Sequence, residues 1–203
     1  MAETNKKTGV IVLAAGASRR MNEPKQLLEY EGRTLLRRAV ETAVAADCQP
    51  IVVVLGANYE KTKAEIAELD VAVCFNADWR DGLSSSLKRG LEKLFEIDAN
   101  VDGFLVSLAD QPLVVAHHLR RFVEKFGQTR ERIVAAEYGG IVGVPAIFGR
   151  EYLADFDEIS GDRGAKAVIE KHRRDLTTIE LPEAAFDVDT QEDFSNLTAE
   201  IRA

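Results

Sequence analysis

The residues best suited to chemistry in this chain are cations on a loop of small side chains and single carboxylates beside apolar runs. The loop reads Leu13-Ala14-Ala15-Gly16-Ala17-Ser18-Arg19-Arg20-Met21-Asn22-Glu23-Pro24-Lys25. It leaves the buried-looking run Val10-Ile11-Val12-Leu13. Its side chains are small enough for a ligand to approach the backbone, whose N–H groups hold phosphate oxygens. Arg19 and Lys25 bring positive charge to a triphosphate, whose α-phosphorus is shielded by negative oxygens until these are neutralised. The spacing is neither that of G-x-x-x-x-G-K-[ST] nor that of the G-x-G-x-x-G dinucleotide turn. On residue types alone, the loop reads equally as a strand-to-helix connection with surface cations.

Asp110 follows the run Phe104 to Leu108 and stands just ahead of Pro112. That places its carboxylate at the C-terminal edge of a sheet, where open α/β folds bind ligands. Magnesium takes one or two protein carboxylates and completes its octahedron with phosphate oxygens and water. Asp187 and Asp189 each offer a second carboxylate. Residues two apart on an extended segment share a face, while Val188 turns toward the core. Spacing leaves both open. The same aspartates also suit ordinary roles as turn formers or helix caps.

Elements to position these groups follow from periodicity. Val10 to Leu13, Ile51 to Leu55, Val71 to Phe75 and Phe104 to Leu108 are continuous apolar runs, as in a parallel sheet covered on both faces. Between them, Thr34 to Ala46 sets Leu35, Leu36, Ala39, Val40 and Ala43 on one helical face. Asn58 caps a helix through Leu69, and Ser84 to Ser86 cap one through Phe95. Further on, the pattern predicts helices over His117 to Phe126, Ala165 to Arg174 and Gln191 to Ile201. Strands are expected at Ile133 to Ala136 and Pro145 to Phe148, with a tight turn region at Gly139, Gly140 and Gly143. No composition break divides the chain. The reading is a single-domain α/β fold with a doubly wound, mostly parallel sheet, residues 1–8 forming a flexible N-terminal segment ahead of a domain over 9–203.

The net charge of -8 disfavours nucleic acid or an anionic membrane as the main partner, so a polyanionic substrate needs a local basic pocket. Cys48 and Cys74 adjoin apolar runs and read as buried thiols. The start of the chain lacks the apolar core of a signal peptide, and no apolar run reaches membrane-spanning length. A cytoplasmic protein is expected. His117, His118 and His172 form no catalytic or metal pattern and read as surface residues. The pairs Arg37-Arg38, Lys88-Arg89 and Arg120-Arg121 read as solvated helix faces, and Trp79 as packing. Ser85 and Ser86 suit helix capping and hydrogen bonding to a base or ribose equally.

The loop pattern L-A-A-G-x-S-x-R-M-x-x-x-K resembles that of the MobA-like NTP transferases, in particular the molybdenum cofactor cytidylyltransferase branch. Four further blocks resemble the same branch in the same order: Asn76 to Leu91, Leu108-Ala109-Asp110-Gln111-Pro112, Gly161-Asp162-Arg163-Gly164-Ala165-Lys166, and Asp187 to Asp193. Two positions depart from it. Gly143-Val144-Pro145 stands where Gly-His-Pro is common, removing an imidazole from the acceptor side, and Gln191 stands where proline is usual. The resemblance implies a Rossmann-like nucleotide-diphospho-sugar transferase fold and transfer of CMP from CTP to a phosphorylated pterin, molybdopterin, with release of pyrophosphate. It implies Lys25 and Arg19 as catalytic residues. The nucleotide would meet Leu13, Ala14, Ala15, Gly16, Ser18, Ser85, Ser86 and Asp110. Mg²⁺ would sit on Asp110 and Asp189, and the acceptor on Asp162, Arg163 and Lys166.

Rival readings are a transferase using GTP or a sugar or polyol phosphate, and a carrier delivering molybdenum cofactor to a molybdoenzyme without turnover. A Rossmann-type oxidoreductase is weakened by the missing dinucleotide turn. The preference for CTP rests on Ala15, because the related guanylyltransferases resemble this loop but carry glycine there. A β-carbon against the base takes space that a purine needs, and overpacking costs about 1–3 kcal/mol. Ala15→Gly is therefore expected to narrow the gap between CTP and GTP in a competition assay, and equal or better use of GTP by the unmodified protein overturns the cytidylyl expectation.

Overall fold

The computed structural model describes residues 6–21 and 23–199. The chain runs through β1 (Thr8–Ala14), a short hairpin of β2 (Glu29–Tyr30) and β3 (Arg33–Thr34), α1 (Leu35–Ala45), β4 (Ile51–Leu55), α2 (Tyr59–Ala64), β5 (Ala72–Phe75), α3 (Leu83–Ile97) and β6 (Gly103–Leu108). It continues through α4 (Ala116–Gln128), β7 (Ile133–Tyr138), β8 (Ile141–Gly149), α5 (Leu153–Glu158), α6 (Ala165–Lys171), β9 (Leu176–Glu180) and α7 (Gln191–Ala199). The main sheet has seven strands in the order β5-β4-β1-β6-β8-β7-β9. β8 runs antiparallel to both of its neighbours, and every other pair in the sheet is parallel.

Alternation along β1 explains the layering. Val10, Val12 and Ala14 pack with Leu36, Val40, Leu119 and Phe122 on one face. Ile11 and Leu13 pack with Leu87, Leu91, Leu94 and Val168 on the other. Every residue of β1 is buried because helices cover both sides, so the expected doubly wound, mostly parallel α/β fold is the fold observed. A smaller cluster of Leu28, Tyr30, Leu35, Val188 and Leu197 ties the β2–β3 hairpin to the C-terminal segment.

Several local expectations need correction. Asn58 makes no side-chain cap; its backbone is left-handed, a conformation asparagine tolerates, and α2 ends at Ala64 rather than Leu69. Ser84, Ser85 and Ser86 lie inside the first turn of α3, which follows Gly82. Gly143 belongs to β8, not to the turn, beside an irregularity in the pairing with β7. The helix from Ala165 stops at Lys171, and β9, β2 and β3 went unread. Thr8, assigned to the leading segment, is buried and pairs with Gly103. Residues 1–5 of that segment, and Ile201 of the last helix, lie outside the described residues.

His118 is buried, not on the surface: its Nδ1 accepts from the Val115 N–H at the start of α4. Arg37 and Arg38 are half-buried and ion-paired with Glu41 and Glu31. Cys48 and Cys74 are buried free thiols as expected. Among the described residues, no helix is long and apolar enough to cross a membrane.

The middle of α3 lies in close contact with the sheet at Gly90. A β-carbon on Gly90 would lie 2.7 Å from Ile11 Cγ2 and 2.9 Å from Val54 Cγ2, both on branched side chains that cannot swing away. Gly90→Ala gains about 1 kcal/mol of helix propensity but incurs about 1–3 kcal/mol of overpacking. The expected outcome is a lower Tm in thermal melts; an unchanged or higher Tm shows that the sheet yields at this point.

Candidate active site

The loop after β1 is wound around a buried polar side chain. Gln26, only 2% exposed, donates from Nε2 to the carbonyls of Ala14 (3.1 Å) and Gly16 (2.7 Å). Its Oε1 accepts from Ser18 Oγ at 3.2 Å, and that oxygen accepts from the Lys25 N–H at 2.9 Å. With these bonds the loop folds back on itself and Ser18 takes a left-handed backbone. Among the described residues, the N–H groups of Gly16 through Arg20 have no protein acceptor. Free amides on a loop leaving a strand are what an anion needs.

Lys25 closes the far side. Its Nζ lies 2.5 Å from Asp110 Oδ2 and 2.8 Å from Asp189 Oδ1. Burial works against its charge, but the two carboxylates outweigh it and hold the lysine above its ordinary pKa. Asp189 is held below the usual carboxylate range by its hydrogen bond to Lys25, with help from Arg20, whose Nη2 lies 2.7 Å from Oδ2. Asp187 takes no part in these ion pairs. Although the residue sits at an exposed rim, burial of its carboxyl and the charge of Asp110 push its pKa up to about 6.

Two backbone details place Asp189. Val188 is fully buried and its N–H donates to the Asp110 carbonyl at 2.9 Å, seaming the two segments together. The cap of α7 is Thr190, not an aspartate: Asp193 Oδ2 accepts from the Thr190 N–H at 2.8 Å while Asp193 N–H donates to Thr190 Oγ1 at 3.2 Å. This reciprocal capping box leaves the Asp189 carboxylate free for the cleft.

A divalent ion fits the donor set. Asp110 Oδ1 is enclosed without a hydrogen-bond partner, and the Lys25 ammonium stands between two carboxylates as the positive charge of a bridging ion would. Among the described residues there is no group of three or more His, Cys, Asp or Glu able to hold a metal. Two carboxylates suit an ion such as Mg²⁺ that takes its other oxygens from phosphate and water.

The cleft they border has a volume of about 520 Å³, in the usual range for a small-molecule site. Of the residues expected there, Leu13, Ala14, Ala15, Gly16, Ser18, Arg19 and Lys25 line it from the loop; Ser86, Asp110, Asp162 and Asp189 line it from elsewhere. Ser85 does not: its hydroxyl is bound to the carbonyls of Asp78 and Gly82 and to Asn76. Arg163 faces a second hollow between α5 and α6, and Lys166 is exposed and borders neither. Sequence reasoning missed Arg20, Gln26, Arg80 and Leu83, and took Trp79 for packing alone although it is a half-buried wall of the cleft. The available signals were a polar residue inside Lys25-Gln26-Leu27-Leu28 and an arginine beside the lone tryptophan.

Comparison with known proteins agrees with this geometry. Residues 10–176 match the MobA-like NTP transferase domain. The chain is 31% identical to nicotine blue oxidoreductase of Paenarthrobacter nicotinovorans, over 94% of this chain and 95% of that protein. It superposes on Rv0371c of Mycobacterium tuberculosis with a TM-score of 0.82 and 27% identity, covering 97% of this chain and all of the other; that protein has also been solved with manganese. A nucleotidyl transferase of Methanothermobacter shares the fold, at a TM-score of 0.81 and 22% identity over 97% of this chain and 98% of that one.

The ion-paired cluster sets a test on binding alone. A ligand at about a hundred times its Kd contributes about 2.7 kcal/mol, which raises the Tm of a chain this size by roughly 5–10 °C. An NTP with Mg²⁺ is expected to do so in thermal melts, and Asp110→Asn to lose the magnesium-dependent part, since the amide keeps the shape without the charge. Lys25→Ala is expected to weaken the triphosphate by about 1.5–3 kcal/mol. A full magnesium-dependent rise in the Asp110 variant removes that residue from the metal site.

Proposed function

The chain belongs to the MobA-like NTP transferase family, and we propose that as a nucleotidyltransferase it moves CMP from CTP to the phosphate of a pterin-type acceptor, molybdopterin carrying molybdenum. The observation that carries this is the Lys25–Asp110–Asp189 cluster facing a loop whose amides at Gly16 to Arg20 have no protein acceptor among the described residues: a place for a triphosphate and a cation. In the reaction, an oxygen of the acceptor phosphate bonds to the α-phosphorus of CTP. The bond from that phosphorus to the bridging oxygen breaks, and its electron pair leaves with pyrophosphate. The attacking oxygen is already anionic, so no general base is required. The loop amides, Arg19 and Lys25 hold the triphosphate and offset the charge that builds on its oxygens. Asp110 and Asp189 would hold Mg²⁺, which supplies charge neutralisation across the phosphates. The reaction belongs in the cytoplasm, with a molybdoenzyme as recipient of the product.

Ala15 lines the cleft, but its methyl packs inward beside Gly56 and Trp79 and is only 6% exposed. Its effect on base choice therefore runs through the position of the Trp79 wall as much as through direct contact. One other reading has a specific observation behind it: the relative named as an oxidoreductase is similar over nearly the whole length of both chains.

One experiment addresses both. The purified protein is incubated with each NTP, Mg²⁺ and loaded molybdopterin, and products are identified by mass; in parallel, NADH and NADPH oxidation is followed with and without acceptor. The expected result is a cytidylylated pterin with one pyrophosphate released per turnover. Guanylylated product, or product with sugar phosphates alone, overturns the substrate assignment. Nicotinamide oxidation without pyrophosphate release overturns the transfer itself.

A further inference from the structure

The two ends of the cleft straddle β1. Asp110 follows β6 on one side, while Trp79 packs over Gly56 at the end of β4 on the other. If the triphosphate takes the Lys25 end, the part of the cleft left for the nucleoside is lined by Trp79, Arg80 and the start of α3. Three features of that end bear on the base.

Arg80 is laid flat: its guanidinium carbon is 4.4 Å from the centroid of the Trp79 ring. Among the described residues it makes no hydrogen bond or ion pair, and neither does Asp162, a second charged residue of the same cleft. The backbones that carry them cross in contact. At Gly82 (φ 94°) a β-carbon would fall 2.3 Å from Gly161 C and 2.8 Å from Asp162 N, and Ser84 N–H donates to the Gly161 carbonyl at 3.0 Å. Opposite charges thus flank one crossing, each unpaired, not even with the other. A carboxylate without a cation beside it repels a triphosphate. It is suited to a ligand group that donates hydrogen bonds.

We propose that Arg80 and Asp162 read the base of the bound nucleotide as a donor–acceptor pair, Asp162 accepting from an amino group and Arg80 donating to ring or carbonyl acceptors, so that cytosine is selected over uracil. The inference rests on the nucleotidyl-transfer reading and moves Asp162 from the acceptor to the nucleoside. Cytosine presents an amino donor at the position where a uracil-type base presents a carbonyl acceptor. The carboxylate therefore gains a charge-assisted hydrogen bond with cytosine and faces a lone pair with uracil. Arg80 meets acceptors that both pyrimidines share, such as the O2 carbonyl, and supplies affinity rather than discrimination.

The test uses the intact protein with Mg²⁺ and no acceptor, following the fluorescence of Trp79, the one tryptophan in the chain. CTP, UTP and inorganic tripolyphosphate are titrated separately. The wild type is expected to bind CTP about tenfold or more tightly than UTP, the scale of one hydrogen bond to a charged group. Asp162→Asn should bring that ratio close to one, since an amide can donate to the uracil carbonyl. Arg80→Met keeps an apolar stem over Trp79 and should weaken CTP and UTP alike. Tripolyphosphate affinity should hold in both variants, which shows that the fold and the phosphate end are intact. Equal CTP and UTP binding by the wild type, or an unchanged ratio in Asp162→Asn, overturns the inference and leaves nucleotide binding standing. Failure of the wild type to bind any NTP overturns the proposed function as well.

Discussion

One ammonium holds the site together. Lys25 reaches Asp110, 85 residues away in sequence, and Asp189, 164 residues away, and all three come from different connections at the same edge of the sheet. Without a positive charge between them, two carboxylates at that separation repel each other, and their segments have no reason to close. The cluster is therefore structural and chemical at once: the charge that assembles it is the charge a triphosphate requires. Asp110 and Asp189 would hold a divalent ion arriving with phosphate, and Lys25 would then be available to the phosphate oxygens. Because the exchange replaces one cation with another, it need not leave a buried charge unpaired, the costly state in such sites.

The same logic reconciles the acidic chain with an anionic ligand. The net charge of -8 belongs to the whole surface. In the cleft, Arg19, Arg20, Lys25 and Arg80 face Asp110, Asp162 and Asp189, so the local balance is positive while each element still folds without strong self-repulsion.

How much of this was legible in the sequence depended on burial. β1, β4 and β6 were readable because a strand covered on both faces must be apolar throughout, and the position of Asp110 followed from the end of β6. β9 alternates between half-buried and exposed positions at a sheet edge, and β2 and β3 have two residues each, so none shows a run. Gln26 is buried because two loop carbonyls need a donor, a demand that exists only once the loop has closed. Spacing left Asp187 and Asp189 equivalent and only the resemblance favoured Asp189; in the fold it is Asp189 that Lys25 reaches, while Thr190 and Asp193 cap the last helix between themselves. Asp162 and Arg163 are adjacent, yet they line different hollows, and no pattern of residue types foretells that division.

The seam between Val188 and Asp110 has a consequence for how the protein matures. It joins the middle of the chain to the C-terminal segment that packs on the hairpin cluster of Leu28, Tyr30 and Leu35. The four parallel strands β1, β4, β5 and β6 can pair as soon as residue 108 has been made, yet the second carboxylate that pairs with Lys25 is synthesised some eighty residues later. A nascent chain can therefore pair Lys25 with Asp110 early, while Asp189 reaches the lysine only near the end of synthesis. Long-range closure of this kind is slow relative to local pairing.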